Sequence, residues 1–151
     1  MKEQKYSSYY KYFDQLTPHE LYAIMRLRSE VFVVEQDCVY LDADNKDLSC
    51  HHLLFWDEST LVAYARLLPK GLSYEQMSIG RVVSSPAYRG TGAGKLLIDE
   101  AIKVCKELFG EGPIRIGAQL YLKEFYSSFG FEQTSDVYLE DGIEHIEMIR
   151  V

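Results

Sequence analysis

The residues that most narrowly constrain this chain's chemistry run from Arg89 to Lys95, Arg-Gly-Thr-Gly-Ala-Gly-Lys. Glycines at 90, 92 and 94 leave backbone N–H groups uncovered and permit conformations that a Cβ would forbid. The segment stands between a predicted strand and a predicted amphipathic helix. At a helix N-terminus such amides, with the helix dipole behind them, form an anion site. The spacing points to a phosphate-bearing ligand, against the plainer alternative of a glycine-rich helix start that binds nothing. Two phosphate motifs fail. A Walker A loop would need a glycine at Arg89 and a Ser or Thr at Leu96 to hold magnesium. A dinucleotide fingerprint would need its third glycine where Lys95 stands. The remaining pattern is Arg-x-x-Gly-x-Gly on Arg89, Gly92 and Gly94, with Gly90, Thr91, Ala93 and Lys95 completing the loop.

A second group of candidates is acidic. Glu30, Glu35, Asp37, Asp42, Asp44 and Asp47 fall within eighteen positions. Such a rim attracts a cationic amine, although a solvated loop is the plainer reading for most of them. Asp42, Asp44 and Asp47 hint at a metal loop. No glycine turn and distal glutamate follow, so no metal is expected. Cys38, Cys50 and Cys105 are odd in number and lack Cys-x-x-Cys spacing, which excludes a disulfide framework and a zinc knuckle. A reduced, cytoplasmic home is the default. Cys105 sits on an apolar stripe, and Cys38 lies among acids that would raise its pKa, so an acyl-cysteine route ranks low. Of His51 and His52, strand alternation lets only one face inward.

The elements that must position these residues can be read along the chain. Its 151 residues suit a single domain, 1–151. A net charge of −7 without clustered Lys and Arg argues against nucleic-acid binding. No apolar run is long enough to cross a bilayer, and the polar, tyrosine-rich stretch Met1 to Tyr12 has no hydrophobic signal region. Tyr9 to Phe13 reads as a strand. Thr17-Pro18-His19-Glu20 is a capped helix start, and the helix should fade near Val34. His51 to Trp56, Leu61 to Leu68 and Gln76 to Val83 read as strands. A helix from about Gly92 carries Leu97, Ala101, Val104, Cys105 and Leu108 on one stripe. Ile114 to Ala118 is a short strand, and Leu120 to Phe129 a helix closed by Gly130. Phe131 to Leu139 and Ile143 to Arg150 are strands around an Asp141-Gly142 turn. The expected fold is a mixed α/β sheet with flanking helices.

The glycine loop, with two further segments, resembles the GNAT acetyltransferase family. Ile79-Gly80-Arg81-Val82-Val83 before Pro86 is similar to that family's central strand. Gln119-Leu120-Tyr121-Leu122-Lys123-Glu124-Phe125-Tyr126 before Phe129-Gly130-Phe131 is similar to its closing helix, with Gln119 where Asn is usual. Val31 to Gln36, Tyr40, Asp42, Asp44 and Asp47, then Glu140 to Ile143, His145 and Met148, resemble the ElaA-like branch.

The resemblance implies a GNAT-like acyl-CoA N-acyltransferase fold with a central, mostly antiparallel sheet. It implies acetyl-CoA as co-substrate, bound by residues 89–95 and along Arg81, Val82 and Val83, with Gln119 and Tyr126 nearby. Tyr126 matches the position of a general acid. The family often carries a glutamate base on the central strand, where Ser78, Ile79, Gly80 and Arg81 offer no carboxylate. Glu35, His51, His52 and His145 remain candidates acting through water, with Glu35 and His52 put forward, and proton loss to solvent stays open. The reaction implied is direct transfer of an acetyl group to a small-molecule or peptide amine. The alternatives are a non-catalytic acyl-CoA sensor and a nucleotide-binding protein. Strand edges near the C-terminus leave a homodimer open.

Overall fold

The computed structural model describes residues 6–151. The first five positions of the polar N-terminal stretch lie outside the described residues. Eight strands form one sheet: β1 (Ser7–Tyr12), β2 (His51–Asp57), β3 (Thr60–Leu68), β4 (Met77–Ser84), β5 (Ile114–Gln119), β6 (Phe131–Gln133), β7 (Tyr138–Glu140) and β8 (Ile143–Arg150). The order is β1-β2-β3-β4-β5-β8-β6, with β7 also on β8. Every pairing is antiparallel except β4 with β5, which is parallel. A parallel pair needs a crossover, and α2 (Ala93–Phe109) supplies it. No helix among the described residues is long and apolar enough to cross a membrane.

The two faces of the sheet are covered differently. On one, Leu97, Ile98, Ala101, Val104 and Cys105 of α2 pack against Leu53, Phe55, Ala65, Leu67, Ile79, Ile114 and Ile146. The helical stripe and the alternating strand positions interlock as expected for an amphipathic helix on a sheet. On the other, α1 (Pro18–Arg28) lays Ile24 and Leu27 over Leu54, Tyr64 and Val83.

The start of α1 is the expected capping box. The Glu20 amide donates to Thr17 Oγ1 at 3.1 Å, and the Thr17 amide to Glu20 Oε1 at 2.8 Å. Tyr9 and Lys11 of β1 also donate to Glu20, which ties strand to helix. Burial opposes the charge on Glu20, but these donors outweigh it and hold the carboxyl down at about 2.

Three expected elements come out differently. The first helix leaves α geometry at Arg28 and continues as a wide π turn over Ser29–Glu35. The β-branched run at Val31, Val33 and Val34 disfavours regular α-helix. The expected helix from Leu120 to Phe129 is a 3₁₀ turn at Leu120–Leu122 followed by α3 (Lys123–Ser127). The expected strand Phe131 to Leu139 divides into β6 and β7. Between them Thr134 and Ser135 divert the chain by bonding to the backbone of Glu147. The Asp141-Gly142 turn is as expected, with φ of 51° and 79°.

The acidic loop is also unlike its expected solvated form. Arg28 is fully buried and donates to Asp42 at 2.8 Å and to Asp47 at 2.7 Å. Arg66 donates to Asp44 at 2.8 Å and Asp47 at 3.0 Å, and Arg81 to Asp42 at 2.8 Å. Three cations and three anions thus close into a neutral cluster on the α1 face. Burial opposes charge on Asp44, yet Arg66 and then Arg81 outweigh it and hold its carboxyl at about 2. Asp47 is likewise lowered, by Arg28 and Arg66. Breaking one member of such a cluster leaves a buried charge uncompensated. Asp47→Asn should therefore cost about 3–5 kcal/mol in urea unfolding, against at most about 0.5 kcal/mol for Glu100→Gln in the surface pair with Lys103. Asp44 is held below its ordinary 3.8. Its contribution is therefore present above that value and lost as pH falls toward the folded value. The urea midpoint should drop between pH 5 and pH 2.5, and drop less in Asp44→Asn.

Candidate active site

The strands β4 and β5 share only two residue pairs, Met77 with Ile114 and Ser78 with Arg115. Beyond these they part. On its other edge β4 pairs with β3, but the register skips between Gly80 and Val83, where Arg81 and Val82 stand opposite the single residue Ala65. Arg81 takes φ of 49° at this bulge. The bulge bends the strand and leaves Arg81 and Val82 without ladder partners. A cleft of about 1000 Å³ occupies the opening.

One end of the cleft is the glycine loop. Gly90 and Gly92 have φ of 79° and 87°, which L side chains rarely adopt, and nothing lies within 4 Å of where their Cβ atoms would be. Gly92 caps α2, which has no side-chain cap and no acidic residue in its first turn. The first amides of the helix therefore have no helical or side-chain acceptor. Gly90, Gly92, Ala93, Gly94 and Lys95 all line the cleft. Thr91 does not. Its hydroxyl donates to the Tyr88 carbonyl and meets the Tyr6 hydroxyl at 3.0 Å, bracing the loop from behind.

Tyr126 of α3 also lines the cleft, 6% exposed, with the rings of Phe125 and Phe131 set edge-on to its own. Burial, and then Tyr121, push its phenol above the ordinary value. A raised phenol stays protonated and so carries a proton it could give, while the same shift makes it a weaker acid.

The π turn and the residues after it cross the cleft as a strap. Glu35 accepts two bonds of 2.6 Å from Arg89. Gln36 and Gln119 exchange amide bonds at 3.2 and 3.3 Å. Cys38 Sγ donates to the Asp141 carbonyl at 3.2 Å. Arg89, Glu35 and Gln119 are thus brought together at the cleft, but each is bonded within the protein.

One expected role is corrected. His52 is fully buried on the α1 face, with Nδ1 2.6 Å from the Tyr64 hydroxyl and Nε2 3.0 Å from the Asp47 carbonyl. Both ring nitrogens are taken up, and the ring does not line the cleft, so His52 is a structural part of the charge cluster. Arg81 lines the cleft as expected, and its guanidinium is paired with Asp42. Glu35 is weakened as a base, since the Arg89 guanidinium holds its carboxyl below the ordinary value. Conversely His145, Glu140 and Asp141, at the β7–β8 turn, do line the cleft. His145 is among the candidate bases read from the sequence, and the structure puts it at the cleft.

The family model for the acetyltransferase (GNAT) domain matches residues 14–151. The chain belongs to the GNAT acetyltransferase family. Protein ElaA of Escherichia coli is 44% identical over 138 residues, 90% of each chain. The crystal structure of ElaA superposes with a TM-score of 0.91 at 40% identity, over 97% of this chain and 99% of that one. An acyl-CoA N-acyltransferase from Pseudomonas aeruginosa superposes with a TM-score of 0.92 at 43% identity, over 97% and 99%. A UPF0039 protein of Schizosaccharomyces pombe is 45% identical over 141 residues, 92% of this chain and 93% of that one. The resemblance read from the glycine loop, β4 and the Tyr126 helix thus identifies the family, its ElaA-like branch and its fold.

This family carries acyl groups from acyl-CoA to an acceptor, and the present cleft fits such a donor. Its splayed strands leave backbone groups unpaired, as in recognition by strand addition, and its uncapped helix suits a pyrophosphate. The carboxylate of Glu35 already occupies Arg89, so a pyrophosphate that engaged Arg89 would have to displace it. Glu35→Gln should tighten coenzyme A binding, read by calorimetry, by about two- to five-fold, the range for an exposed ion pair.

Proposed function

We propose that this protein is an N-acetyltransferase that uses acetyl-CoA and acetylates a small-molecule or peptide amine by direct attack. The observation that carries this reading is the convergence on one cleft of three features: the two-pair splay of β4 and β5, the uncapped glycine start of α2, and the buried hydroxyl of Tyr126. Bound acetyl-CoA supplies an activated thioester; the protein's own groups do the rest. The amides of Gly92 to Lys95 hold negative charge at the helix start. The unpaired backbone of Arg81 and Val82 lines the cleft where a pantetheine arm can pair, and an N–H at Val82 or Val83 can stabilise a developing oxyanion. Tyr126 holds a proton ready for a departing thiolate.

Direct attack, rather than an acyl-cysteine, is supported by the thiols. Cys105 is fully buried, and burial pushes its thiol up to about 12. Cys50 is likewise raised by burial, to about 11. Cys38 lines the cleft, but its thiol is spent on the Asp141 carbonyl. The competing reading, a sensor that binds acyl-CoA without turnover, is favoured only by the absence of a carboxylate on β4. A thiol-release assay over a panel of amines separates the two. Turnover with at least one amine is expected.

Tyr126→Phe should lower that turnover by about 10²-fold, the lower range of general acid catalysis, with coenzyme A affinity within about two-fold. Gly92→Asp adds a side chain at a left-handed φ and an anion at the phosphate site, and should abolish coenzyme A binding while circular dichroism shows the fold retained. Unchanged binding in Gly92→Asp would exclude the loop as the phosphate site. Saturable binding with no turnover on any amine would favour the sensor.

A further inference from the structure

An acceptor amine with an ordinary basic nitrogen reaches the cleft as an ammonium ion, and a group must take its proton before it can attack. Between Ser78 and Arg81, β4 offers no carboxylate. We propose that His145 is the general base of this site, with its tautomer set by the Ile143 carbonyl and its other ring nitrogen facing Glu140. The proposal rests on the acetyl-transfer reading above.

Three observations place the ring. His145 stands on β8, opposite Gln119 of β5 on one side and Tyr138 of β7 on the other. Its side chain is 10% exposed and lines the cleft, stacked on Tyr138 with ring centroids 5.9 Å apart. Its Nδ1 lies 2.8 Å from the Ile143 carbonyl oxygen. A carbonyl only accepts, so Nδ1 carries the hydrogen, and in the neutral ring the lone pair sits on Nε2. That Nε2 faces Glu140 Oε2 at 3.5 Å. Two proton acceptors therefore confront each other with no donor between them. A proton on Nε2, or the N–H of an ammonium ion entering from the cleft, completes the arrangement.

Glu35, Asp42, Asp44, Asp47 and the other two histidines put forward as bases are committed elsewhere, and the exposed Asp141 carboxylate sits at the turn on the cleft rim. Glu35 is held by both terminal nitrogens of Arg89. Asp42, Asp44 and Asp47 are locked to arginines, and the Tyr40 hydroxyl donates to Asp42. Both nitrogens of His52 are bonded, and His51 packs against Tyr10, Tyr12 and Phe109 away from the cleft.

The proton balance then closes. Nε2 takes one proton from the acceptor ammonium. The freed amine attacks the thioester carbon, the C–N bond forms and the C–S bond breaks. The departing sulfur takes the Tyr126 proton, and the new amide nitrogen gives up its surplus proton to restore Tyr126. The imidazolium returns its proton to water, so ammonium and thioester yield amide, thiol and one proton. The role defines the acceptor class: basic alkyl amines, which are charged at neutral pH, need His145, whereas aryl amines, already neutral, do not.

The test is His145→Gln, assayed at pH 7 with both amine classes, alongside calorimetry with coenzyme A. Turnover of alkyl amines should fall by about 100-fold or more while aryl amines stay within about three-fold, because only the former need a base before attack. Glu140→Gln should show the same selectivity more weakly, about two- to five-fold, since its carboxylate is largely exposed. Coenzyme A affinity should be unchanged in both. Nitrogen-15 NMR of the wild-type protein, with His145→Gln for assignment, should find the neutral His145 ring protonated on Nδ1. Equal losses on the two amine classes, no loss on either, or a neutral ring protonated on Nε2 would overturn the role of His145 and leave the acetyltransferase reading standing. A wild-type protein inert toward every amine would remove both.

Discussion

Two adjacent strands that share two residue pairs do not close a sheet, and everything about this protein's site follows from that fault. Backbone N–H and C=O groups away from water must be paired. Where β4 and β5 separate, their facing edges can pair only with solvent or with a ligand. A fault of this kind inside a core would ordinarily collapse, because closing the gap would bury apolar surface and satisfy the ladder. The bulge at Arg81 and Val82 prevents it by turning β4 out of register with the line that β5 would have to follow.

The bulge is in turn held from both faces, by unlike forces. On the α2 face the support is apolar, with Ile79 and Ile116 anchored on either side of the opening in the main core. Such packing is strong but undirected. On the α1 face the support is the cluster of three arginines and three aspartates, which is directional. Arg81 is a bulge residue and also a member of the cluster, so its two bonds to Asp42 fix the bulge to the loop, and Asp42 fixes the loop to Arg28 of α1. Buried ion pairs seldom add net stability over apolar packing, and their best-attested use is to specify one arrangement. Here the arrangement specified is the open one. His52 and Tyr64 extend the cluster into the sheet, which is why a histidine that looked like a base proves to be framework.

The sequence disclosed those features whose signals are local. The apolar stripe of α2 needs only residues three or four apart, and its buried positions include Leu97, Ala101, Val104 and Cys105 as read. The Thr17 cap and the Asp141-Gly142 turn depend on neighbours in the chain. So does the glycine start of α2, since the need for positive φ at Gly90 and Gly92 is written in their residue type. The charge cluster was hidden because its pairs are separated by 14 to 39 positions. Asp42, Asp44 and Asp47 look solvated until their partners on α1, β3 and β4 are known. The division between β6 and β7 was hidden for a related reason. A strand pattern reports burial on one side, and it is silent on whether Thr134 and Ser135 will bond to Glu147 across the ladder.

The same distinction separates Glu35 from His145. Glu35 stands at the cleft, yet its charge is answered by Arg89 with two bonds of 2.6 Å. A base must have a lone pair to offer, and a chelated carboxylate has little. What Glu35 does in the structure is hold Arg89, at the edge of the glycine loop. His145 is the opposite case. Its close hydrogen-bond partner among the described residues, the Ile143 carbonyl, fixes which nitrogen carries the hydrogen, and the remaining nitrogen is aimed at another acceptor. Incompleteness in an otherwise satisfied molecule is informative. Among the described residues one buried side-chain polar atom, Arg66 Nε, lacks a partner. Nε2 of His145 faces the largely exposed Glu140 carboxylate at 3.5 Å, and under the proposal above an ammonium ion supplies the proton between them. The ring lies on a wall of the same cleft that the splayed strands hold open.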